Sequence, residues 1–123
     1  MAKLLYENLT YTVIGAAMEV HNVLGGGFLE IVYQRALVKE FSLRKISFVE
    51  QMKLPVSYKG SLVGEYFADF LVEDKLIVEI KAVSKLNRAH QAQTMHYLAA
   101  TGYHLALLLN FGARSLEHRR IIK

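Results

Sequence analysis

Residues 75–83 read KLIVEIKAV, a run with the composition of a buried β-strand that nevertheless carries two charges, Glu79 and Lys81. Side chains alternate along an extended chain, so Val78 and Ile80 share one face and the two charged residues share the other. Burying charged groups without partners is costly, and this pair therefore requires a structural or a functional explanation.

The stretch after this strand decides the fold class. RAHQAQTMHYLAAT (88–101) is predicted to be a helix that Asn87 caps and Gly102 ends, and HLALLLNF (104–111) is a continuous apolar strand. A strand, a helix and a strand in this order predict a crossover that makes the last strand parallel to 75–83. Because the last strand is apolar throughout, we expect it to be covered on both faces.

The rest of the chain adds helices before the sheet and a short element after it. Helical spacing predicts helices over 8–24 and 28–43, separated by glycines at 25–27. The next stretch predicts three or four strands, mostly in antiparallel hairpins. Residues 115–123 are expected to form a short strand or a turn of helix. The expected fold is an α/β (α+β) domain over residues 1–123, with a central mixed sheet flanked by helices.

Two details of the early helices are also predicted. Asn8 or Thr10 is expected to cap the first helix. The spacing predicts an apolar stripe on the second helix formed by Leu29, Val32, Ala36 and either Leu37 or Val38.

Length and composition restrict the class of protein. The chain has 123 residues, 53% of them hydrophobic, with one Pro and no Cys. Without Cys there is neither a disulfide framework nor a thiolate metal site, and a cytoplasmic location is expected. No signal-peptide pattern opens the chain and no apolar run approaches about 20 residues, so we expect no membrane span. A short, apolar chain also favours a homodimer.

Charge is distributed unevenly along the chain. Residues 1–80 contain 8 Lys and Arg against 10 Asp and Glu, whereas residues 81–123 contain 7 against 1. Such asymmetry is typical of proteins with a polyanionic partner such as nucleic acid, but an ordinary solvated basic face explains it equally well. The candidate contacts to a nucleic-acid backbone are Lys85, Arg88, Arg119 and Arg120.

Asp69 provides a third charged group for the same place. It interrupts another apolar run, and a hairpin that turns at 73–75 would set it opposite Glu79. Two carboxylates this close repel unless a proton or a cation lies between them. A divalent cation such as Mg²⁺ resolves the repulsion, and Lys81 would face the same point. The alternative is a structural ion pair between Lys81 and one of the carboxylates.

Polar residues on the predicted helices extend this candidate site. His90, Gln93 and Tyr97 share one helix face, which could contact a phosphate or a water. A solvent-facing His90 and Gln93 with Tyr97 in the core would give the same pattern. Glu30 lies in the first turn of the second helix, where the helix dipole alone favours a carboxylate.

These pieces together resemble a known family. GFLEIVY (27–33) is similar to the motif that names the GxxExxY proteins, a bacterial and archaeal group of the PD-(D/E)XK nuclease superfamily. The similarity continues through ADFLVEDKLIVEIKAV (68–83) and HQAQTMHYL (90–98), and it covers nearly the whole chain. Ala68 stands where the name of the motif has Pro, a position that often varies.

The resemblance implies a restriction-endonuclease-like core and assigns roles to particular residues. Asp69 would be the first acidic metal ligand, and Glu79 and Lys81 would form the (D/E)XK pair. Gln93 and Tyr97 match the QxxxY pattern of exonuclease-like branches of the superfamily. Glu30 matches a helix glutamate that completes the metal site in several such nucleases.

The expected function is therefore a Mg²⁺- or Mn²⁺-dependent nuclease that hydrolyses phosphodiester bonds in nucleic acid, with DNA favoured over RNA as the partner. Its catalytic residues would be Asp69, Glu79, Lys81 and Gln93, its metal ligands Glu30, Asp69, Glu79 and the carbonyl of Ile80, and its substrate contacts His90, Tyr97, Lys85 and Arg88. The alternative is an inactive module that keeps the nuclease fold and binds nucleic acid or a protein partner.

Overall fold

The computed structural model describes residues 6–123, which form three helices and five strands. In chain order these are α1 (Glu7–Leu24), α2 (Glu30–Leu43), β1 (Phe48–Tyr58), β2 (Ser61–Val72), β3 (Leu76–Lys81), α3 (Arg88–Thr101), β4 (Leu105–Asn110) and β5 (Glu117–Ile122). In this part of the chain, no helix is both long and apolar enough to cross a membrane.

The five strands form one mixed sheet in the order β1-β2-β3-β4-β5. β3 and β4 are parallel, and every other neighbouring pair is antiparallel. The predicted crossover through α3 and the predicted α+β class are therefore confirmed. The end of the chain, for which a strand and a helical turn were both open, is a strand.

Helices cover both faces of the sheet. One buried cluster joins α1 and α2 to side chains such as Val78 and Ile80, and a second joins α3 to side chains such as Ile77. Every residue of β4 is buried, which confirms that it is covered on both sides. By alternation along β3, Glu79 and Lys81 lie on the face that α3 covers.

The predicted stripe of α2 is only partly right. The face that the helix buries is formed by Tyr33, Gln34, Leu37 and Phe41. Leu29 is the N-cap residue, lies outside the helix and is 76% exposed. The apolar spacing fits more than one stripe, and the observed buried face follows the i, i+4, i+8 row that starts at Tyr33, whose ring stacks on Phe111.

The helix ends show which capping predictions hold. Neither Asn8 nor Thr10 caps α1; its N-cap is Tyr6, without a side-chain hydrogen bond, and the Thr10 hydroxyl donates instead to backbone carbonyls one turn earlier. Asn87 does cap α3, and Gly102 ends that helix with a φ of 82°, which favours glycine.

Candidate active site

The carboxylates of Glu79, which is buried, and Asp69, which is half-buried, converge as the hairpin register predicts. β2 and β3 pair with Phe70 opposite Val78, and continuing this register sets Asp69 opposite Glu79. Oδ2 of Asp69 accepts a hydrogen bond of 2.8 Å from the backbone N–H of Ile80. The Asp69 side chain thus takes the place of the next backbone partner of β3 and lies beside Glu79.

The electrostatics of this pair disfavour a negative charge on both carboxyl groups at once. Glu79 is 8% exposed, and its burial, followed by the charge of Asp69, raises its pKa to about 8. Burial also raises the pKa of Asp69. The charge of Lys81 acts in the opposite direction on both pKa values. None of the ion pairs in residues 6–123 includes Lys81, so the structural ion pair considered above is not formed.

Two tyrosines connect this pair to α3. The hydroxyl of Tyr66 donates a hydrogen bond to Oε1 of Glu79, and its ring stacks on that of Tyr97 with centroids 3.6 Å apart. Burial, followed by the charge of Glu79, raises the pKa of Tyr66, so its hydroxyl remains a donor. Tyr97 was predicted from the sequence, whereas Tyr66 was not.

Tyr66 reaches the site because β2 does not present the same face to the same helices along its whole length. Phe70 joins the cluster under α1 and α2, yet Tyr66, four residues earlier on the same alternation, joins the cluster under α3. Gln51, which lies opposite Asp69 in the β1–β2 register, has a left-handed backbone with φ 49°. The site forms beside Asp69. At this point the β1–β2 hairpin changes the helices that its faces pack against, and β2 stops pairing with β3.

A chain of amides approaches the same carboxylate from β1 and α2. Nε2 of Gln51 donates to Oδ1 of Asp69 at 3.4 Å and to Oε1 of Gln34 at 3.3 Å. Nε2 of Gln34 in turn donates to Oε2 of Glu50 at 3.0 Å. Sequence analysis missed Gln34, Glu50 and Gln51. The burial of Gln34 could have pointed to this chain of amides, but that burial can be predicted only when the buried face of α2 is known.

Glu30 is placed differently from the two strand carboxylates. It is the first residue of α2 and is exposed. Among residues 6–123, no group of three or more His, Cys, Asp or Glu side chains is arranged to hold a metal ion. The structure therefore does not assemble Glu30, Asp69 and Glu79 into a three-carboxylate cluster.

The Tyr33 of the same motif has a structural contact instead. Its ring is fully buried and stacks on Phe111 with centroids 4.7 Å apart. Its hydroxyl donates to the carbonyl of Gly25 at 2.6 Å and accepts from the N–H of Phe28 at 3.2 Å. Tyr33 thereby fixes the loop that leads into α2 and Glu30.

The residues predicted on and before α3 are distributed over its surface. Gln93 is exposed and Tyr97 is half-buried against Tyr66. His90 is half-buried, and its Nδ1 accepts a hydrogen bond from the N–H of Asn87, so that its ring completes the helix cap. Lys85 and Arg88 are exposed at the start of the helix.

The loop that follows Lys81 is fixed by a buried residue that sequence analysis did not single out. Asn110 is fully buried, accepts from the N–H of Val83 at 2.9 Å and donates to the carbonyl of the same residue at 2.9 Å. It also donates to Oε1 of Glu117 at 2.8 Å, and that oxygen accepts from the N–H of Leu86. These two hydrogen bonds lower the pKa of Glu117.

The donor set fits a hard divalent cation. Asp69 and Glu79 present carboxyl oxygens side by side, no ion pair among residues 6–123 includes either of them, and Ile80 lies between Glu79 and Lys81 on the same strand. Mg²⁺ is commonly held by one or two carboxylates together with water and phosphate oxygens. Two carboxylates and a backbone carbonyl match that requirement without a third acidic side chain.

The fold is similar to those of solved structures. The alkaline exonuclease LHK-Exo from Laribacter hongkongensis matches with a TM-score of 0.56 at 16% identity, over 100% of this chain and 72% of the exonuclease. LHK-Exo in complex with dAMP matches with a TM-score of 0.52 at 14% identity, over 87% of this chain and 76% of that one. The structure of SSO0001 matches with a TM-score of 0.58 at 15% identity, over 96% of this chain and 57% of that one. At these identities the similarity shows the fold alone.

Sequence comparison gives the family. None of the curated proteins matches this chain significantly. The family description "PD-(D/E)XK nuclease superfamily", in contrast, matches residues 7–121, which include all eight helices and strands except the last residue of β5. The match also contains the converging Asp69, Glu79 and Lys81. This chain belongs to the PD-(D/E)XK nuclease superfamily.

Proposed function

We propose that this protein is a divalent-metal-dependent nuclease of the GxxExxY group that hydrolyses phosphodiester bonds in DNA. The observation that carries the proposal is the convergence of Asp69 and Glu79 next to Lys81, without an ion pair, in a chain of a nuclease superfamily. A purely structural arrangement would be expected to pair these carboxylates with a cationic side chain.

The proposed cofactor is Mg²⁺, with Mn²⁺ as a substitute. Asp69, Glu79 and the carbonyl of Ile80 would hold it. When bound, the ion would supply charge stabilisation at the scissile phosphate and lower the pKa of a coordinated water. The elevated pKa of Glu79 means that this residue would release a proton when the cation binds.

The amine of Lys81 has a separate proposed role in the hydrolysis. A water oxygen forms a bond to phosphorus and loses a proton, the bond from phosphorus to the leaving oxygen breaks, and the leaving oxygen takes up a proton, so that no proton is gained or lost overall. Lys81 would orient the attacking water or neutralise the charge that develops on the phosphorane oxygens. Tyr66 and the Ile80 N–H keep the two carboxylates fixed while this occurs.

The substrate contacts remain proposals from the sequence. Gln93 would position the substrate strand, with further contacts from His90, Tyr97, Lys85 and Arg88. The similarity to LHK-Exo in complex with dAMP favours DNA as the substrate class. A cytoplasmic location and a homodimer are likewise proposed.

Cleavage assays on labelled single- and double-stranded DNA with Mg²⁺ or Mn²⁺ test the proposal. Lys81→Ala should lower the cleavage rate by about 100-fold or more, as expected for losing a group that stabilises charge in the transition state. Lys39→Ala removes an exposed lysine from α2 and should leave the rate unchanged.

Two outcomes would contradict the proposal. Equal background activity in the wild-type protein and Lys81→Ala would remove the catalytic role. Binding of DNA by a wild-type protein that neither cleaves it nor binds Mn²⁺ would instead identify an inactive nuclease-fold module.

A further inference from the structure

We propose that Gln51 is a positioning residue that holds the Asp69 carboxylate in the orientation needed to bind a divalent ion. This inference rests on the proposed function, because it assumes that Asp69 is a metal ligand. Gln51 has no counterpart among the residues that the sequence motifs assign.

The first observation is that both oxygens of Asp69 have donors on different strands. The Ile80 N–H on β3 binds Oδ2 at 2.8 Å, and Nε2 of Gln51 on β1 binds Oδ1 at 3.4 Å. A carboxylate held at both oxygens cannot rotate freely about its terminal bond.

The second observation is that the amide of Gln51 has a fixed orientation. The carboxylate of Glu50 can only accept, so Gln34 must present its NH₂ group to Glu50 and its oxygen to Gln51. Gln51 must then present its own NH₂ group, whose two hydrogens serve Gln34 and Asp69. Glu50 thus fixes the orientation of the amide of the buried Gln34. Gln34 in turn fixes the amide of Gln51 so that its NH₂ group faces Asp69.

The third observation is the backbone of Gln51. Its φ of 49° lies in the left-handed region, which costs free energy for any residue with a Cβ. The other described non-glycine residues with positive φ lie at helix ends or in turns: Tyr6, Lys45, Lys59, Glu73 and Asp74. Gln51 alone among them lies within a strand, and strained residues of this kind cluster at functional sites.

Gln51→Gly separates a positioning role from a structural one. Glycine adopts this φ without the Cβ penalty, so the metal-free variant should unfold at the same or a higher denaturant concentration than the wild-type protein. Its affinity for Mn²⁺, measured by titration calorimetry, should nevertheless fall about tenfold or more, as is typical when an outer partner of a metal ligand is lost. A merely structural residue would not combine unchanged stability with weaker binding.

Lys59→Gly is the matched control. Lys59 has a φ of 48° in the β1–β2 turn, so glycine relieves the same strain there. This variant should bind Mn²⁺ as the wild-type protein does. Gln51→Met is the second test variant, since it keeps an unbranched side chain of similar length but lacks the amide, and it should also bind Mn²⁺ about tenfold more weakly.

The outcomes distinguish the inference from the proposed function. Wild-type affinity in Gln51→Gly and Gln51→Met would overturn the positioning role and leave the metal site intact. A wild-type protein that binds no Mn²⁺ would overturn the metal site and the positioning role with it. Weaker binding in Lys59→Gly to the same extent would also overturn the positioning role, because backbone relief alone would then explain the effect.

Discussion

A carboxyl group that is 8% exposed and lies beside a second carboxyl retains its proton more readily than one in water. Glu79 is such a group, and its pKa rises from 4.5 to about 8 on folding. Between these pH values the folded protein keeps a proton that the unfolded chain has released. The stabilising contribution of Glu79 is therefore complete below pH 4.5 and is lost as the pH rises to about 8.

This pH dependence can be measured on the metal-free protein. The free energy of unfolding, obtained with denaturant in EDTA, should fall by roughly 2 kcal/mol between about pH 6 and pH 8.5. Glu79→Gln should remove most of that fall, because the amide does not titrate. Glu19→Gln, an exposed position on α1, should retain it. The same pH dependence in wild-type protein and Glu79→Gln would contradict the elevated pKa.

Residue contacts were predictable where they depend on local geometry. Alternation along 75–83 and a hairpin turn at 73–75 are enough to bring Asp69, Glu79 and Lys81 together. The contact between Tyr66 and Glu79 arises because, beyond Asp69, the faces of the β1–β2 hairpin pack against different helices. The alternation of apolar and polar residues in the sequence does not predict that change.

At the scale of elements, the loop after β3 and the loop after β4 lie in close contact, and this contact requires the glycine at position 112. A Cβ at Gly112 would lie 2.5 Å from both the backbone N and O of Val83 and 2.6 Å from the carbonyl carbon of Ala82. Backbone atoms cannot move aside as the end of a flexible side chain can. The loop that follows Lys81 is therefore held between Gly112 and the buried Asn110.

Gly112→Ala should destabilise the protein by about 3 kcal/mol, at the upper end of the usual cost of overpacking. The free energy of unfolding in denaturant measures this directly. Gly64→Ala on β2 is the control, because its Cβ would meet no atom within 4 Å. It should change stability by no more than about 0.5 kcal/mol. Equal effects at the two positions would contradict the close contact between the two loops.

The type and order of the helices and strands were predictable from the sequence, whereas their caps and buried faces were predictable only in part. Caps at Asn87 and Gly102 have side-chain or backbone signatures that stand in the sequence itself. The buried face of α2 was misplaced because the spacing of its apolar residues fits more than one stripe. Packing of Tyr33 on Phe111 selects the observed face, and that partner is 78 positions away in the chain.

At the scale of the whole molecule, the topology gathers chemistry from four elements at one place. β2 and β3 provide the carboxylates, β1 provides Gln51, and α3 provides Tyr97 behind Tyr66. The order of helices and strands along the chain predicted this mixed sheet, since short connections allow few arrangements of a strand, a helix and a strand. The proposed cation has no sequence signature beyond the acidic residues that would bind it.

The most direct test of the metal site is an anomalous-scattering measurement on crystals of the wild-type protein soaked in Mn²⁺. We expect a Mn²⁺ peak within about 2.5 Å of carboxylate oxygens from both Asp69 and Glu79. Crystals of Glu79→Ala soaked in the same way should lack the peak. Wild-type crystals that show no peak between these residues, or show the amine of Lys81 bound between the two carboxylates, would contradict it.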